Sequence, residues 1–393
     1  MRIIVFSQYY EPEPFLIHDK MKELVVRGHE VTVLTGLPNY PKGEILKGYK
    51  PGTEVKDGVN ILRLPIRARK SGAKNLFLNY ISYVKEANKY LKRNDIDYNL
   101  IYVYQLSPLL MAIPAIKLKK IKKIPLIIYC LDLWPESLVS GGIKKGSIVY
   151  RIFKVISKRI YKNADSIHIS SKSFEKYFRN VLKINKNFIY NPQYAVENEH
   201  DILLPNMYNE KYINLTFTGN VGEMQDLETL LNALPFIDNN VRIHIVGDGS
   251  KLESLKQTAK NLNIEDKIVF HGRRPIEEMY SYMYHSDALL VTMKVDEVIS
   301  YTLPAKIQSY LKSGKFIIGA INGEANQVIK DSESGFVSPA SDEKLLAENI
   351  NHFIKDMPHF KKLGSAGTEY YNKHFGKDKF ITTLLKDMER LIK

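Results

Sequence analysis

Short apolar segments alternate with helical segments along almost the whole chain. The first unit has a strand at Arg2–Ser7, a helix at Phe15–Arg27 that ends before Gly28, and a strand at Glu30–Thr35. Nearly continuous apolar strands joined by helices are typical of a parallel sheet that is covered on both faces. The pattern therefore predicts an α/β fold built of βαβ units.

The alternation restarts after a polar segment. Residues 191–210 contain two prolines and no sustained periodicity, so we interpret them as a linker between domains at 1–190 and 211–375. The last helical segment, at about 376–393, is a candidate to pack back on the first domain. Further strands are predicted at Val59–Leu64, Leu100–Tyr104, Leu126–Leu131, Ser166–Ser170, Ile213–Thr218, Arg242–Val246, Ile268–His271, Ala288–Thr292 and Phe316–Ala320.

Positive charge is concentrated in the first predicted domain. Residues 1–190 carry 34 Lys and Arg against 15 Asp and Glu, whereas residues 191–393 carry 23 against 28. This asymmetry predicts that the first domain faces an anionic surface such as phospholipid or nucleic acid. The segment Asn75–Asn94, which has apolar residues at helical spacing between two basic clusters, fits a helix at a membrane surface or an ordinary amphipathic helix on a sheet.

Several functional classes are disfavoured by what the sequence lacks. A single cysteine, Cys130, allows no internal disulfide and no multi-cysteine zinc site. The apolar runs are shorter than the roughly 18 residues of a spanning helix, and a signal-peptide core is missing. Zinc-finger, RNA-binding and basic-zipper signatures are also missing, so no nucleic-acid partner is expected. The common metallohydrolase, serine-hydrolase and P-loop motifs do not occur.

Two glycine-rich loops follow neighbouring strands of the second domain. Ligands of parallel α/β sheets bind beyond the carboxyl ends of the strands, and glycines let the backbone approach an anion there. One such loop is often a plain tight turn, but two in register favour a nucleotide site. Its candidate residues are Gly219, Asn220, Gly222 and Gln225 in the first loop, and Gly247, Asp248 and Gly249 in the second.

Positive side chains accompany these loops. Arg273 follows the next strand, where a guanidinium can bind phosphate or form a surface salt bridge. Lys306 lies in the first turn of a helix that is predicted to begin at Pro304, and a cation there is unfavourable for the helix alone. This conflict favours a phosphate-binding role for Lys306.

The first domain offers carboxylates at a strand end. Asp132, Trp134 and Glu136 come directly after the predicted strand Leu126–Leu131. A carboxylate there can bind sugar hydroxyls or accept a proton, or it can cap a helix while Trp134 packs in the core. A long loop rich in Pro and Gly, at residues 36–43, is of the kind that shapes ligand sites, and it contains Pro38, Asn39 and Tyr40.

These residues together resemble the family-4 glycosyltransferases of GT-B fold. Within that family, the chain is most similar to the branch that includes N-acetylfucosamine transferases of capsule, O-antigen and colanic-acid assembly. The segments DLWPES and PAKIQSY are the most specific. The motifs run in order along the chain as Arg27–Gly36, Pro38–Pro41, Ser107–Pro108, Asp132–Ser137, Gly219–Asn220 with Gln225, Gly247–Gly249, Asp287–Leu290 and Pro304–Tyr310.

The resemblance implies two Rossmann-like domains that face a cleft, and a retaining, metal-independent sugar transfer without a cofactor. A UDP-sugar would be the donor, a sugar on undecaprenyl diphosphate would be the acceptor, and the enzyme would sit on the cytoplasmic face of an anionic bacterial membrane. The implied catalytic residues are Asp132, Lys306 and Glu136. The glycine-loop residues, Arg273, Pro304 and Ser309 would bind the donor, and Pro38, Asn39, Tyr40 and Trp134 would bind the acceptor.

The chain departs from the family pattern at charged positions. Tyr301 and Ser309 stand where many members have two glutamates, and Asn220 and Gln225 stand where an arginine and a lysine are common. Lys306 is therefore expected to carry more of the diphosphate binding. Two other functions stay open on the sequence alone, a non-hydrolysing UDP-sugar epimerase of the same architecture and a non-catalytic protein that binds lipid or nucleic acid.

Overall fold

The computed structural model describes residues 1–93, 97–140, 142–196, 202–237 and 240–393. The chain divides into two compact domains. The first comprises Met1–Pro192 and Phe380–Lys393, and the second comprises Gln193–Lys379. The predicted linker at 191–210 begins at this division, and its residues 197–201 lie outside the described residues.

A mostly parallel sheet forms the centre of the first domain. Its strands are β1 (Arg2–Phe6), β2 (Glu30–Gly36), β3 (Gly52–Lys56), β4 (Val59–Leu64), β5 (Leu100–Gln105), β6 (Leu126–Cys130), β7 (Ser166–Ile169) and β8 (Phe188–Tyr190). The order is β3-β4-β2-β1-β5-β6-β7-β8, and only the β3–β4 pair is antiparallel within the described sheet. Strands β5 and β6 are buried along their whole length, as expected for strands covered on both faces.

The helices of the first domain pack on this sheet and on each other. They are α1 (Ile17–Val26), α2 (Ala73–Arg93), α3 (Ala112–Lys122), α4 (Glu136–Ser140), α5 (Ile148–Asn163) and α6 (Phe174–Asn180). The Ser147 hydroxyl caps α5 by accepting the backbone N–H of Tyr150 at 3.3 Å. Helix α2 matches the predicted segment Asn75–Asn94, whose last residue lies outside the described residues. None of the helices that the structure describes is long and apolar enough to cross a bilayer.

A wholly parallel sheet forms the centre of the second domain. Its strands are β9 (Ile213–Thr218), β10 (Val241–Val246), β11 (Ile268–Gly272), β12 (Ala288–Thr292), β13 (Phe316–Ala320) and β14 (Gly335–Ser338). Their order, β11-β10-β9-β12-β13-β14, is that of a Rossmann domain. The order reverses between β9 and β12, and ligands of such sheets bind beyond the strand ends at this point.

Helices cover both faces of the second sheet. They are α7 (Leu227–Ala233), α8 (Leu252–Asn261), α9 (Met279–His285), α10 (Glu297–Tyr301), α11 (Ala305–Ser313), α12 (Gly323–Asp331), α13 (Glu343–Lys355) and α14 (Met357–His374). Leu290 of β12 lies in the core cluster that includes Leu230 of α7, whereas its neighbour Leu289 lies in the cluster that includes Ile307 of α11. Alternate residues of β12 therefore pack in two hydrophobic cores, one on each face of the sheet. The predicted pair of α/β domains is confirmed.

Most of the last helix, α15 (Lys377–Ile392), belongs to the first domain. The Phe380 ring lies 5.4 Å from the Tyr129 ring of β6. The buried Nε2 of His168 in β7 lies 2.9 Å from the Asp387 carboxylate. These contacts hold the C-terminal segment on the first sheet.

Three short strands escaped the sequence analysis, namely β3, β8 and β14. Strand β3 is exposed throughout and lies at the sheet edge, so it has no apolar pattern to reveal it. Its hairpin with β4 turns at Asp57 and Gly58, whose φ angles are +50° and +75°. Asp-Gly between two strands is typical of tight hairpins, and this dipeptide is the sequence feature from which β3 could have been predicted.

Candidate active site

Lys306 projects from the first turn of α11 towards the end of β9. Its Nζ lies 3.6 Å from the centre of the Phe217 ring, and a Cβ on Gly219 would lie 3.2 Å from the same nitrogen. The residue as a whole is only partly buried, but the ammonium is shielded from solvent. It has no hydrogen-bond partner within the described residues.

Burial lowers the pKa of Lys306 from 10.5 to about 7. The cause is desolvation, which disfavours the charged form of a lysine. The Phe217 ring offers a favourable face for a cation but no counter-charge. An anion beside Nζ would provide both the hydrogen bond and the opposite charge that Lys306 lacks. Lys306 and Gly219 are therefore a candidate anion site at the switch point of the sheet.

Tyr310 fixes α11 to the strand ends. The backbone N–H of Thr218 donates to the Tyr310 hydroxyl at 2.9 Å, and this hydroxyl lies 3.3 Å from the carbonyl oxygen of Leu290. Tyr310 is four residues after Lys306, so both side chains lie on one face of α11. The sequence analysis quoted Tyr310 without assigning it a role, and this spacing was the available signal.

The two glycine loops pack backbone against backbone. A Cβ on Gly247 would lie 1.7 Å from the carbonyl oxygen of Gly219, and a Cβ on Gly249 would lie 2.3 Å from that of Val221. Gly247 also has a φ of +153°. A side chain at either position is excluded by this contact. Backbone packing therefore requires glycine at these two positions, in addition to the predicted contact with an anion.

Gln225 closes the first glycine loop. Its Oε1 accepts the backbone N–H of Gly222 at 3.2 Å and the side-chain amide of Asn220 at 3.2 Å. Asn220 and Asp248 are both exposed, and the Asp248 carboxylate accepts the backbone N–H of Gly249 at 2.7 Å. These predicted donor-binding residues thus lie together in the two glycine loops.

A cavity of about 330 Å³ opens beside Lys306 between α9 and α11, and we call it the α9–α11 cavity. Met279 and Met283 of α9 form an apolar wall, while Ser309 and Ser313 of α11 face them. Sites for small ligands begin at about 300 Å³. The lining residues, all within the described part of the chain, include no carboxylate. Besides the two methionines and two serines, the cavity is lined by Ala195, Val196, Thr218, Gly219, Ile276, Tyr280, Lys306 and Lys312.

The other predicted donor residues lie at the edge of this site or outside it. Pro304 immediately precedes α11 with φ −64° and ψ 134°, which suits the residue before a helix. Ser309 lines the α9–α11 cavity, whereas Arg273 is exposed in the loop after β11 and does not line it. Met279 and Met283 were not singled out from the sequence, although their spacing of four places them on one helix face.

Asp132 lies two residues after β6, which ends at Cys130 in the first domain. Burial raises the pKa of its carboxyl to about 6, against the effect of a hydrogen bond from the backbone N–H of Ser107. A carboxyl with a pKa near neutrality can both accept and release a proton at physiological pH. Asp132 is therefore a candidate for general acid–base chemistry.

Glu136 is buried, and tyrosine hydroxyls bind its carboxylate. Tyr150 donates to Oε1 at 2.5 Å and Tyr177 donates to the same oxygen at 3.2 Å. Oε2 has no partner within the described residues. These bonds tie α4 to α5 and α6, which is a structural role. The catalytic role of Glu136 stays a prediction.

A carboxylate that the sequence analysis missed holds the loop at Pro38–Tyr40. Glu13 Oε1 accepts the backbone N–H groups of Asn39 and Tyr40 at 2.9 and 2.8 Å. Burial raises the pKa of Glu13, and these bonds oppose the rise. Pro38 and Asn39 are buried, so Tyr40 is the most accessible of the three predicted acceptor residues.

Trp134 is buried two residues before α4. Its indole N–H donates to the Ser107 hydroxyl at 3.1 Å, and its ring lies 6.3 Å from Tyr80 and 5.9 Å from Phe153. This environment is that of a core residue. Trp134 also lines a second cavity, which lies wholly in the first domain.

Two protein families match the chain in succession. Residues 17–187 match the glycosyl transferase 4-like domain, and residues 205–370 match the glycosyl transferases group 1. The first match includes Asp132 and the second includes Lys306. The chain belongs to the GT-B glycosyltransferases. The broad resemblance inferred from the sequence is thereby confirmed.

The chain is similar to two curated bacterial proteins that are named as glycosyltransferases. The probable glycosyltransferase WbjE of Pseudomonas aeruginosa is 26% identical over 263 residues, which span 63% of this chain and 64% of WbjE. The putative colanic acid biosynthesis glycosyl transferase WcaI of Escherichia coli K12 is 21% identical over 418 aligned positions, covering 99% of this chain and 100% of WcaI. Thus this chain spans slightly less than two thirds of WbjE.

A solved neighbour shares the fold along the whole chain. Anabaena Alr3699/HepE, solved in complex with UDP-glucose, has a TM-score of 0.69 at 16% identity, and the match covers 100% of both chains. Within the described residues of the glycosyltransferase, no group of three His, Cys, Asp or Glu side chains is placed to hold a metal ion.

Proposed function

We propose that this glycosyltransferase moves an N-acetylated sugar from a UDP-sugar to a lipid-linked acceptor during assembly of a bacterial surface polysaccharide. The observation that carries the proposal is the Lys306 ammonium, which is buried beside Gly219 without a partner in the described residues. The diphosphate of a nucleotide sugar would supply the missing charge.

The donor is a UDP-sugar in this proposal. HepE shares the fold and was solved with UDP-glucose, which supports the choice of nucleotide. The diphosphate would lie against Lys306 and the backbone of the Gly219–Gly222 loop. The nucleoside would then extend into the α9–α11 cavity, which begins beside the same lysine.

Charge stabilisation of the leaving group is the main contribution of the second domain. The bond between the sugar C1 and the diphosphate oxygen breaks, and its electron pair stays on UDP. Lys306 and the N–H groups of the glycine loop would stabilise that charge, the role that a metal ion has elsewhere. The acceptor oxygen bonds to C1 on the face that the diphosphate leaves, which retains the configuration. Asp132 is the candidate to bind the acceptor hydroxyl and take its proton.

N-acetylfucosamine or a related N-acetylated hexosamine is the proposed sugar. The DLWPES and PAKIQSY segments support this choice through the resemblance described above, and the name of WcaI associates that relative with colanic acid. The acceptor would be a sugar on undecaprenyl diphosphate for capsule, O-antigen or lipopolysaccharide assembly. The excess of positive charge in residues 1–190 supports a peripheral position on the cytoplasmic face of the membrane.

A transfer assay tests the proposal. Purified protein is incubated with a panel of UDP-sugars and N-acetylglucosaminyl undecaprenyl diphosphate, and release of UDP and extension of the lipid are measured. We expect UDP release that requires the acceptor and that Lys306→Ala abolishes in folded protein. Epimerised sugar formed without acceptor would instead indicate the epimerase reaction. Full activity of the Lys306→Ala variant would contradict the diphosphate site.

A further inference from the structure

An apolar cavity in the first domain has no role in the donor chemistry. Its volume is about 390 Å³, within the range of small-ligand sites. We call it the Trp134 groove. Its apolar lining includes Leu76, Phe77, Trp134, Leu138, Val149 and Phe153, contributed by α2, α4, α5 and the residues before α4.

The walls of the Trp134 groove are suited to hydrocarbon. Phe153 lies 5.9 Å from the Trp134 ring and 6.4 Å from the Phe77 ring. Since the indole N–H already donates to Ser107, Trp134 adds no free hydrogen-bond donor to the wall of the groove. Phe77 and Val149 are each 45% exposed, so the groove opens to the surface at these side chains. An apolar chain entering there would bury surface that the fold leaves in water.

Helix α5 continues this apolar surface beyond the groove. Ile148, Ile152 and Val155 are 77%, 52% and 49% exposed, and their spacing of four and three places them in one stripe. An exposed stripe of branched aliphatic residues is typical of a helix that lies in a membrane interface. The sequence analysis considered only the helix now seen as α2, of which Tyr80 and Tyr83 face the core.

Basic side chains at the border of this apolar surface indicate that the lipid has an anionic head group. Arg151 is exposed beside the stripe on α5, and Lys74 is exposed at the groove. Cations at the border of an apolar surface favour an anionic head group over a neutral one. Ser107 lines the groove and also donates its backbone N–H to the Asp132 carboxylate. Ser107 therefore connects the lining of the groove with the carboxylate that we assign to the acceptor hydroxyl.

We propose that the Trp134 groove binds the first isoprene units of a polyprenyl diphosphate, while the stripe on α5 lies in the anionic bilayer that carries this lipid. This inference rests on the proposed function, because it assigns a place to the hydrocarbon of the proposed acceptor. It adds a binding site in the first domain that the transfer chemistry does not require.

The single tryptophan of the chain makes the groove directly observable. Trp134 fluorescence is titrated with geranylgeranyl diphosphate below its micelle concentration, and with inorganic diphosphate as control. We expect a saturable change with the prenyl compound and none with inorganic diphosphate. An equal response to both compounds would overturn the groove assignment, because it would show binding of the head group alone.

Variants separate the groove from the rest of the molecule. Phe77→Asp places a charge at the rim and is expected to weaken geranylgeranyl diphosphate binding at least tenfold. Phe236→Asp, at a site in the second domain that is 53% exposed, is the matched control and is expected to bind normally. Equal affinity of the two variants for the prenyl compound would overturn the proposal.

The stripe on α5 is tested with vesicles containing one third phosphatidylglycerol. Ile152→Asp is expected to reduce sedimentation with these vesicles at least fivefold. Retained sedimentation would overturn the membrane contact. A parent dimer that Ile152→Asp converts to monomer would also overturn it, because the stripe would then bind a second copy of the chain.

A thermal shift with UDP distinguishes failure of the groove proposal from failure of the proposed function. If UDP stabilises the protein but geranylgeranyl diphosphate does not bind, only the groove proposal fails, whereas the absence of both contradicts the proposed function as well.

Discussion

Lys306 is kept at a cost to the stability of the fold. Its pKa is about 7 in the folded protein and about 10.5 in an unfolded chain, so the unfolded state binds more protons between these values. Stability therefore rises with pH through this window, and the penalty is largest below pH 7. Lys306→Met should raise Tm by a few degrees at pH 6 and by less at pH 10, measured by thermal unfolding. Lys312→Met, exposed on the same helix, is the control and should shift Tm little at either pH. A lower Tm for Lys306→Met at pH 6 would show that burial of the ammonium does not destabilise the folded protein.

Ser309 lines the α9–α11 cavity, in which we propose that the nucleoside of the donor binds. Nucleotide sites often pair the ribose 2′-hydroxyl with a carboxylate, and the described lining of this cavity contains none. A site that makes no strong bond to a hydroxyl discriminates weakly against analogues that lack it. We expect dUDP to bind within about threefold of UDP, and Ser309→Glu to create a preference for UDP of about tenfold. Calorimetric titration of both nucleotides tests this, with Ser309→Ala as the control. A strong preference of the parent protein for UDP would contradict it.

At the scale of elements, one buried pair fastens the C-terminal helix. Burial raises the pKa of Asp387, but the hydrogen bonds from His168, Ser166 and Arg390 outweigh it and leave the pKa at about 2. Asp387→Ala should lower the free energy of unfolding by about 2–4 kcal/mol at pH 7, because it leaves the buried Nε2 of His168 without its hydrogen-bond partner. The loss should shrink as the pH falls from 3.8 towards 2, because the parent pair is itself lost there. Urea unfolding measures both effects. Lys386→Ala, exposed on the same helix, should cost little, and an equal cost for the two variants would contradict the role of the pair.

The elements that the sequence revealed are those with a strong apolar pattern. Strands such as β5 and β6 are buried throughout and were predicted, whereas exposed β3 and the short β14 have little pattern to detect. Lys306 could be predicted because a cation in the first turn conflicts with local helix stability. Its burial against Phe217 could not, since that contact joins residues 89 positions apart in the sequence. The Trp134 groove was hidden for the same reason, because α2, α4 and α5 form it together.

At the scale of the whole molecule, charge is divided between the two halves of the chain. The excess of positive charge in residues 1–190 should direct the protein to anionic membranes. Lys119 is already engaged, since its Nζ donates to the Asp165 carboxylate at 2.6 Å. Lys120 and Lys123 are exposed, so Lys120→Gln with Lys123→Gln should weaken binding to vesicles containing phosphatidylglycerol about five- to tenfold at low salt. Co-sedimentation tests this, with Lys256→Gln and Lys260→Gln in the second domain as the control pair. Equal losses in the two double variants would contradict a directed surface.

Titration calorimetry of UDP at pH 6.5 and pH 8.5 tests the central claim most directly. If the diphosphate binds the protonated Lys306, affinity should be highest below the free pKa of about 7 and should fall about tenfold per pH unit above it, with proton uptake on binding. Lys306→Met should show no binding at either pH while it remains folded. Affinity that is independent of pH, together with normal UDP binding by Lys306→Met, would contradict the claim that this buried ammonium is the diphosphate site.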